Sequence, residues 1–371
     1  MERVDAKQTV RMNPGEGEMS YARNSKFQSA EQSRMKPLIE GAIKELCCTN
    51  TPLANGIVIA DLGCSCGPSA ITLVSTAVDA IHHQYGQLQQ PLPELSLHLN
   101  DLPSNDFNTV VKHLVAFQHR LNGENRQDVL SPLLSASIVP GSFYGRLFTT
   151  ASVHLFLSSN SLHWLSQAPE DLVKNGIPIY HSDQQVWQKM RPVVLDAYAQ
   201  QFRKDFMLFL RSRAKEMIPG GRMVLSFSAT CSIGQTNKLT QTWELVALIL
   251  DDMASRGVLD KEKLKTFYIP LYAPYETEIK EIVEEQGSFS IINLQMHDSV
   301  GVDKALINPK MVAYGLSAAF APIIRDHFGS SKDIMDAFVR TAEQRFTVAN
   351  LQDELANNPR VFIAVTLARN A

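Results

Sequence analysis

Short β-branched runs alternate with longer stretches of helical period along most of the chain. Residues 57–59 (Ile-Val-Ile) form an apolar run that ends in an acid, which predicts a buried strand. From Ser69 to Tyr85, Ile71, Val74, Val78 and Ile81 fall on one side of a helix. Pro91-Leu92-Pro93 closes that helix, and residues 95–99 alternate toward a second strand ending at Asn100-Asp101-Leu102-Pro103. Residues 135–139 and 153–157 predict two more strands. Residues 196–217 read as a long amphipathic helix stopped by Pro219-Gly220-Gly221, with strands at 223–227 and 361–367 after it.

This alternation predicts an α/β fold, a twisted and mostly parallel sheet covered on both faces, with ligands beyond the carboxyl ends of the strands. Residues 167–190, 240–257 and 310–346 are helical in pattern but do not fit the alternation, and are expected to form a helical cap. The chain thus reads as one unit. Its core is expected at about 1–165, 200–232, 265–300 and 355–371, and its cap at about 166–199, 233–264 and 301–354.

Composition narrows the setting. Of 371 residues 44% are hydrophobic, enough for a sizeable core, and the net charge of −3 with scattered Lys and Arg argues against a nucleic-acid partner. The start, MERVDAKQTVRMN, has no apolar signal core, and no apolar run approaches the roughly 20 residues of a membrane span, so a cytoplasmic protein is expected. Cys47, Cys48, Cys64, Cys66 and Cys231 show no paired C-x-x-C spacing. They read as small reduced thiols filling tight space.

The candidate chemistry starts at the turn joining the first strand to its helix, VIADLGCSCGP. Asp61 and Asp101 end neighbouring strands, so their carboxylates should enter one crevice. Asp101 suits both ribose hydroxyls of a nucleoside, while Asp61 suits an ammonium group or a turn cap. The turn Gly63-Cys-Ser-Cys-Gly67-Pro68 lacks the G-x-G-x-x-G that lets backbone reach a pyrophosphate, and there is no P-loop. A phosphate-free nucleoside cofactor, S-adenosylmethionine, fits better than a dinucleotide.

In order along the chain, NPGEGEMSYARNSKFQ, IADLGCSCGP, LNDLPSNDFN, VPGSFYGRLF, SSNSLHWLSQAPE, PGGRMVLSF and EEQGSFSI resemble the motif series of the plant SABATH methyltransferases. These enzymes methylate carboxylates of salicylate, benzoate, anthranilate or jasmonate, or ring nitrogens in the caffeine branch. The resemblance implies a Rossmann-like S-adenosylmethionine-dependent methyltransferase fold and a homodimer. It also implies that Tyr21, Cys64, Asp101, Leu102, Ser142 and Phe143 line the cofactor, with Asp61 at its methionine end and a hydroxyl contact kept at Ser69. Gln28, His163 and Trp164 would face the acceptor as the catalytic group, beside Asn160, with Trp243 and Tyr272 closing over it.

Four departures from the family pattern bear on function. Ser69 replaces an asparagine. Asn160 replaces a frequent tyrosine, which enlarges the acceptor pocket or offers an amide to a ring substituent. Arg11-Met12-Asn13-Pro14 lacks a lysine that some members place near the carboxylate. Lys265-Thr266-Phe267-Tyr268 replaces the acid-x-Phe-Asn segment proposed for magnesium, so no metal is expected even with Asn175 retained. The expected reaction is esterification of a small plant acid, benzoate, salicylate or anthranilate first and jasmonate second. A purine N-methyltransferase, a non-catalytic ligand binder and a nicotinamide oxidoreductase are the rivals.

Overall fold

Seven strands make one sheet in the order β3-β2-β1-β4-β5-β7-β6. They are β1 (Ile57–Leu62), β2 (Leu95–Asp101), β3 (Leu134–Pro140), β4 (Val153–Ser159), β5 (Met217–Ala229), β6 (Phe289–Asp298) and β7 (Val361–Arg369). The computed structural model describes residues 11–15, 17–47, 56–122, 134–230, 241–298, 307–346 and 361–371. Strands β1 to β5 pair in parallel, and β7 inserts antiparallel between β5 and β6. Alternation along β1 sends Ile57 and Ile59 to one core and Ala60 and Leu62 to the other, the two-faced burial expected of a parallel sheet.

The helices are α1 (Tyr21–Asn24), α2 (Lys26–Arg34), α3 (Lys36–Cys47), α4 (Thr72–Leu88), α5 (Phe107–Asn122), α6 (Glu170–Asn175), α7 (Gln184–Glu216), α8 (Thr242–Ser255), α9 (Lys261–Lys265), α10 (Glu276–Gln286), α11 (Pro309–Phe328) and α12 (Lys332–Arg345). Residues of α3, α4 and α5 build the core on one face, and residues of α7, α8, α10, α11 and α12 build the larger core on the other. Among the described residues no helix is long and apolar enough to cross a membrane.

Three elements differ from the sequence reading. Helix α7 begins at Gln184, capped by the Asp183 carboxylate on the N–H groups of Gln185 and Val186, and runs through Pro192 without a break. The expected boundary between cap and core at 199/200 therefore falls inside one continuous helix. Pro219-Gly220-Gly221 is a bulge within β5 rather than a stop before it: Val153 pairs with Met217 and Leu155 with Arg222, and Gly220 takes φ +75°. Strand β6, absent from the sequence reading, is a half-buried edge whose register shifts between Ile291 and Asn293, which breaks the alternation a strand is recognised by.

Candidate active site

The turn after β1 is held by the end of β2. The N–H groups of Gly63 and Cys64 both donate to the Asn100 carbonyl at 2.9 Å. Ser65 takes a left-handed φ of +59°; its N–H donates to Asp101 Oδ2 at 2.6 Å, and its carbonyl accepts from Asn105 Nδ2 at 2.7 Å. The other Asp101 oxygen accepts from the Leu102 N–H at 2.7 Å. Gly63, at φ +79°, has no room for a side chain: a Cβ would lie 2.2 Å from Ser161 Oγ and 3.5 Å from the Phe143 ring. The result is a backbone cradle at the carboxyl ends of two strands.

Its electrostatics are those of two acids buried close together. Asp61 is 2% exposed and Oδ1 has no hydrogen-bond partner. Burial, then the nearby Asp101 charge, push its carboxyl up to about 8. Burial also raises Asp101 to about 6, although the two backbone N–H groups pull the other way. The Tyr21 phenol is raised by burial and then by Cys66 and Asp101, which puts Tyr21 in the same cluster. Cys64 and Cys66 are buried free thiols, also pushed up by burial, Cys66 to about 11, so they pack rather than react. Cys48 and Cys231 lie outside the described residues.

The next loop is fixed by polar groups that composition and spacing did not single out. Asn100 is wholly buried, and its Nδ2 donates to the carbonyls of Val139 and Gly141, leading the chain into Ser142 and Phe143. The Tyr144 N–H donates to Ser142 Oγ, and the Phe143 ring stands edge-on to Phe209. Arg213 and Glu216, both wholly buried on the last turn of α7, pair at 2.7 Å and clamp this loop. Arg213 donates to the carbonyls of Phe143 and Gly145, and Glu216 accepts from the N–H groups of Leu147 and Phe148. Charged residues on the inward face of an amphipathic helix were the signal available. Ser69 is half-buried in a 3₁₀ turn, Pro68–Ile71.

Where the sequence reading puts the acceptor, the segment after β4 zips against 270–272. Leu165 N–H donates to the Pro270 carbonyl, and Tyr272 N–H to the His163 carbonyl, so His163, Trp164 and Tyr272 stand together. The Trp164 ring lies 5.5 Å from Phe320, and its carbonyl accepts from the Tyr144 hydroxyl at 2.6 Å. His163 Nδ1 accepts from the Ser228 N–H at 3.3 Å, and burial lowers the ring to about 3. It is therefore neutral, and that bond puts its one N–H on Nε2. Gln28 Oε1 is buried without a hydrogen-bond partner. The Tyr272 hydroxyl bonds to the Glu278 carboxylate.

The structure also places Trp243 and Asn160, which the sequence reading put around the acceptor. Trp243 is 0% exposed, stacked on Tyr198 at 5.1 Å and edge-on to Trp187, and its indole Nε1 is buried without a hydrogen-bond partner. Asn160 Nδ2 donates to Ser159 Oγ at 2.8 Å and to the Gln28 backbone carbonyl at 3.4 Å. Its φ of +58° shows the backbone reason for an asparagine at this place. In residues 265–268, the Tyr268 hydroxyl bonds to the carbonyls of Leu172 and Ile177, and Phe267 packs on His327 and Phe328. Asn175 Nδ2 donates to the Asp171 carbonyl, and Arg11 lies at the surface 3.7 Å from Asp326.

Known proteins give the same picture over the whole length. The family model described as SAM dependent carboxyl methyltransferase matches residues 7–370. A probable jasmonic acid carboxyl methyltransferase 1 of Theobroma cacao is 40% identical, covering 92% of this chain and 94% of its own. A probable caffeine synthase 4 of Camellia sinensis is 38% identical, with 90% and 91% covered. The solved structure of a loganic acid methyltransferase with SAH superposes with a TM-score of 0.80 at 27% identity, covering 97% of this chain and 99% of that one. An orphaned buried carboxylate beside a backbone cradle is what a sulfonium nucleoside with an ammonium end requires. The chain belongs to the S-adenosylmethionine-dependent carboxyl methyltransferases, the SABATH family, on their Rossmann-like fold.

Proposed function

We propose that the enzyme esterifies a small carboxylic acid with an apolar body, of the jasmonate type first and of the benzoate, salicylate or anthranilate type second. The observation that carries the reading is His163. Held neutral, with Nδ1 occupied by the Ser228 N–H, it donates and takes up no proton at physiological pH. An N–H acceptor such as a purine has to lose its proton, so it needs a base. A carboxylic acid with an unperturbed pKa of about 4 arrives already ionised.

Gln28, the His163 Nε2–H and the Trp164 indole N–H are then neutral donors that hold the anion in place. A neutral donor binds a carboxylate less tightly than an ammonium does, and leaves its lone pairs more nucleophilic. When bound, S-adenosylmethionine supplies an electrophilic methyl group. Asp61 would meet its ammonium end and Asp101 its ribose, with Tyr21, Cys64, Leu102, Ser142 and Phe143 around it. Rate would come mainly from holding a carboxylate oxygen in line with that methyl, which in well-oriented systems contributes up to about 7–11 kcal/mol.

The jasmonate type is placed first on two supports. The Theobroma cacao relative carries that name. Asn160 is smaller than the tyrosine frequent at this position, and its side chain bonds to Gln28 and Ser159. The test is a panel of acids and methylxanthines with labelled S-adenosylmethionine. The expected outcome is highest kcat/KM on jasmonate and no product from 7-methylxanthine; methylation of the purine would overturn the reading.

A further inference from the structure

Behind the acceptor side lies a polar cluster that the transfer chemistry does not use. Glu31, on α2, is 2% exposed. The Ser226 hydroxyl of β5 donates to its Oε1. His297 Nε2 of β6 lies 2.7 Å from Oε2 and 3.0 Å from Oε1. Ser226 is wholly buried, so these three side chains meet no substrate and form no hydrolytic site.

Their position explains how α2 is held. KFQSAEQSR carries no apolar stripe, and its buried residues are Glu31 and Gln32, so hydrophobic area alone does not seat it. The carboxylate of Glu31 does. Gln28 stands three residues earlier, on the same face of the helix. The Gln28 carbonyl accepts from Asn160 Nδ2, and the Asn160 N–H donates to the Ser226 carbonyl at 2.8 Å. Ser226 therefore grips Glu31 with its hydroxyl and Asn160 with its carbonyl, and Asn160 grips Gln28. The links close a ring through one turn of α2. Helix α1 is tied elsewhere: the Tyr21 N–H donates to the Asn13 carbonyl, and the Asn13 N–H to the Ala318 carbonyl of α11.

We propose that Glu31 is a positioning residue which, through Ser226, His297 and Asn160, fixes the Gln28 amide at the acceptor carboxylate and leaves the cofactor side untouched. This rests on the reading of Gln28 as an acceptor contact. The separate tethers of α1 and α2 support the separation of the two sides, although Ser161, next to Asn160, donates to the Gly63 carbonyl of the cradle at 3.0 Å.

The test is a double-mutant cycle in the full chain, measuring KM for the acid, kcat, and the dissociation constant of S-adenosylhomocysteine. Glu31→Gln keeps the shape and one acceptor oxygen but removes one of the two carboxylate oxygens that face His297 Nε2. The expected result is a KM for the acid raised about ten-fold with a lower kcat, unchanged cofactor affinity, and almost no further effect of Glu31→Gln once Gln28→Ala is present. Equal effects of Glu31→Gln with and without Gln28, a parallel loss of cofactor affinity, or no change at all would each overturn the proposal while leaving the Gln28 reading standing. If Gln28→Ala alone leaves the acid KM unchanged, both fall. Should Glu31→Gln not fold, Ser226→Ala removes one link of the ring and carries the same expectations.

Discussion

Asp61 and Asp101 are neighbours in one cradle, yet they are spent differently. Asp101 gives one oxygen to the Ser65 N–H and the other to the Leu102 N–H, while Asp61 keeps an oxygen with no partner and is raised from 3.8 to about 8. Between those two values the native state holds a proton that the unfolded chain has lost. The stability of the ligand-free protein therefore falls as pH rises from about 4 through about 8. An ammonium ligand binds the ionised form, so cofactor affinity should rise over the upper part of the same window and level off above about 8. Asp61→Asn should flatten both profiles and weaken S-adenosylhomocysteine binding near pH 8 by about 1.5–3 kcal/mol, read by calorimetry and by melts across that range. The acids at the strand ends were legible in sequence because strand ends are where such sheets bind ligands. The stacking of Trp243 on Tyr198 was not, because an aromatic that packs a core and one that walls a pocket have the same neighbours in sequence.

At the scale of elements, the last turn of α7 does more than cover the sheet. The wholly buried Arg213 and Glu216 spend their hydrogen bonds on backbone groups of Phe143, Gly145, Leu147 and Phe148, and the Arg213 guanidinium also lies over the rings of Phe156 and Phe209. Arg213→Ala leaves Glu216 buried without its counter-charge, a change that costs about 3–5 kcal/mol in comparable pairs. Denaturant unfolding should show that loss, and S-adenosylhomocysteine affinity should fall with it because the loop bearing Ser142 and Phe143 loses its clamp. Helix α7 also marks where sequence patterning stopped working. Its apolar period is clear from Asp196 onward, but its first twelve residues include Pro192 and a run of glutamine, lysine and arginine, and only the Asp183 cap announces them. The same holds for β6, whose bulge breaks the period, and for the Pro-Gly-Gly bulge that punctuates β5 from within.

For the molecule as a whole, β1–β2, β2–β3 and β4–β5 are neighbours joined through helices, while β4 crosses back to lie beside β1. The strands of this parallel half could be read almost directly from the alternation of runs. The antiparallel half could not, because its order is set by contacts far apart in sequence: β7, last in the chain, lies between β5 and β6. Residues 361–367 of β7 are all buried, and their partners include the strand that carries the acceptor-side hydrogen bonds, with Ser226 opposite Ala364 and Ser228 opposite Phe362. Such non-local pairing forms late, since the closure of a long loop must precede any gain from it. Deleting residues 361–371 should therefore do more than trim an end. It would strip the pairing from both β5 and β6, bare the apolar face beneath them, and leave Ser228 without the strand that holds it under His163. The expected product is an aggregation-prone chain with no cooperative thermal transition by circular dichroism and no protection by S-adenosylhomocysteine; a soluble truncated protein that melts cooperatively would show that the parallel half folds on its own.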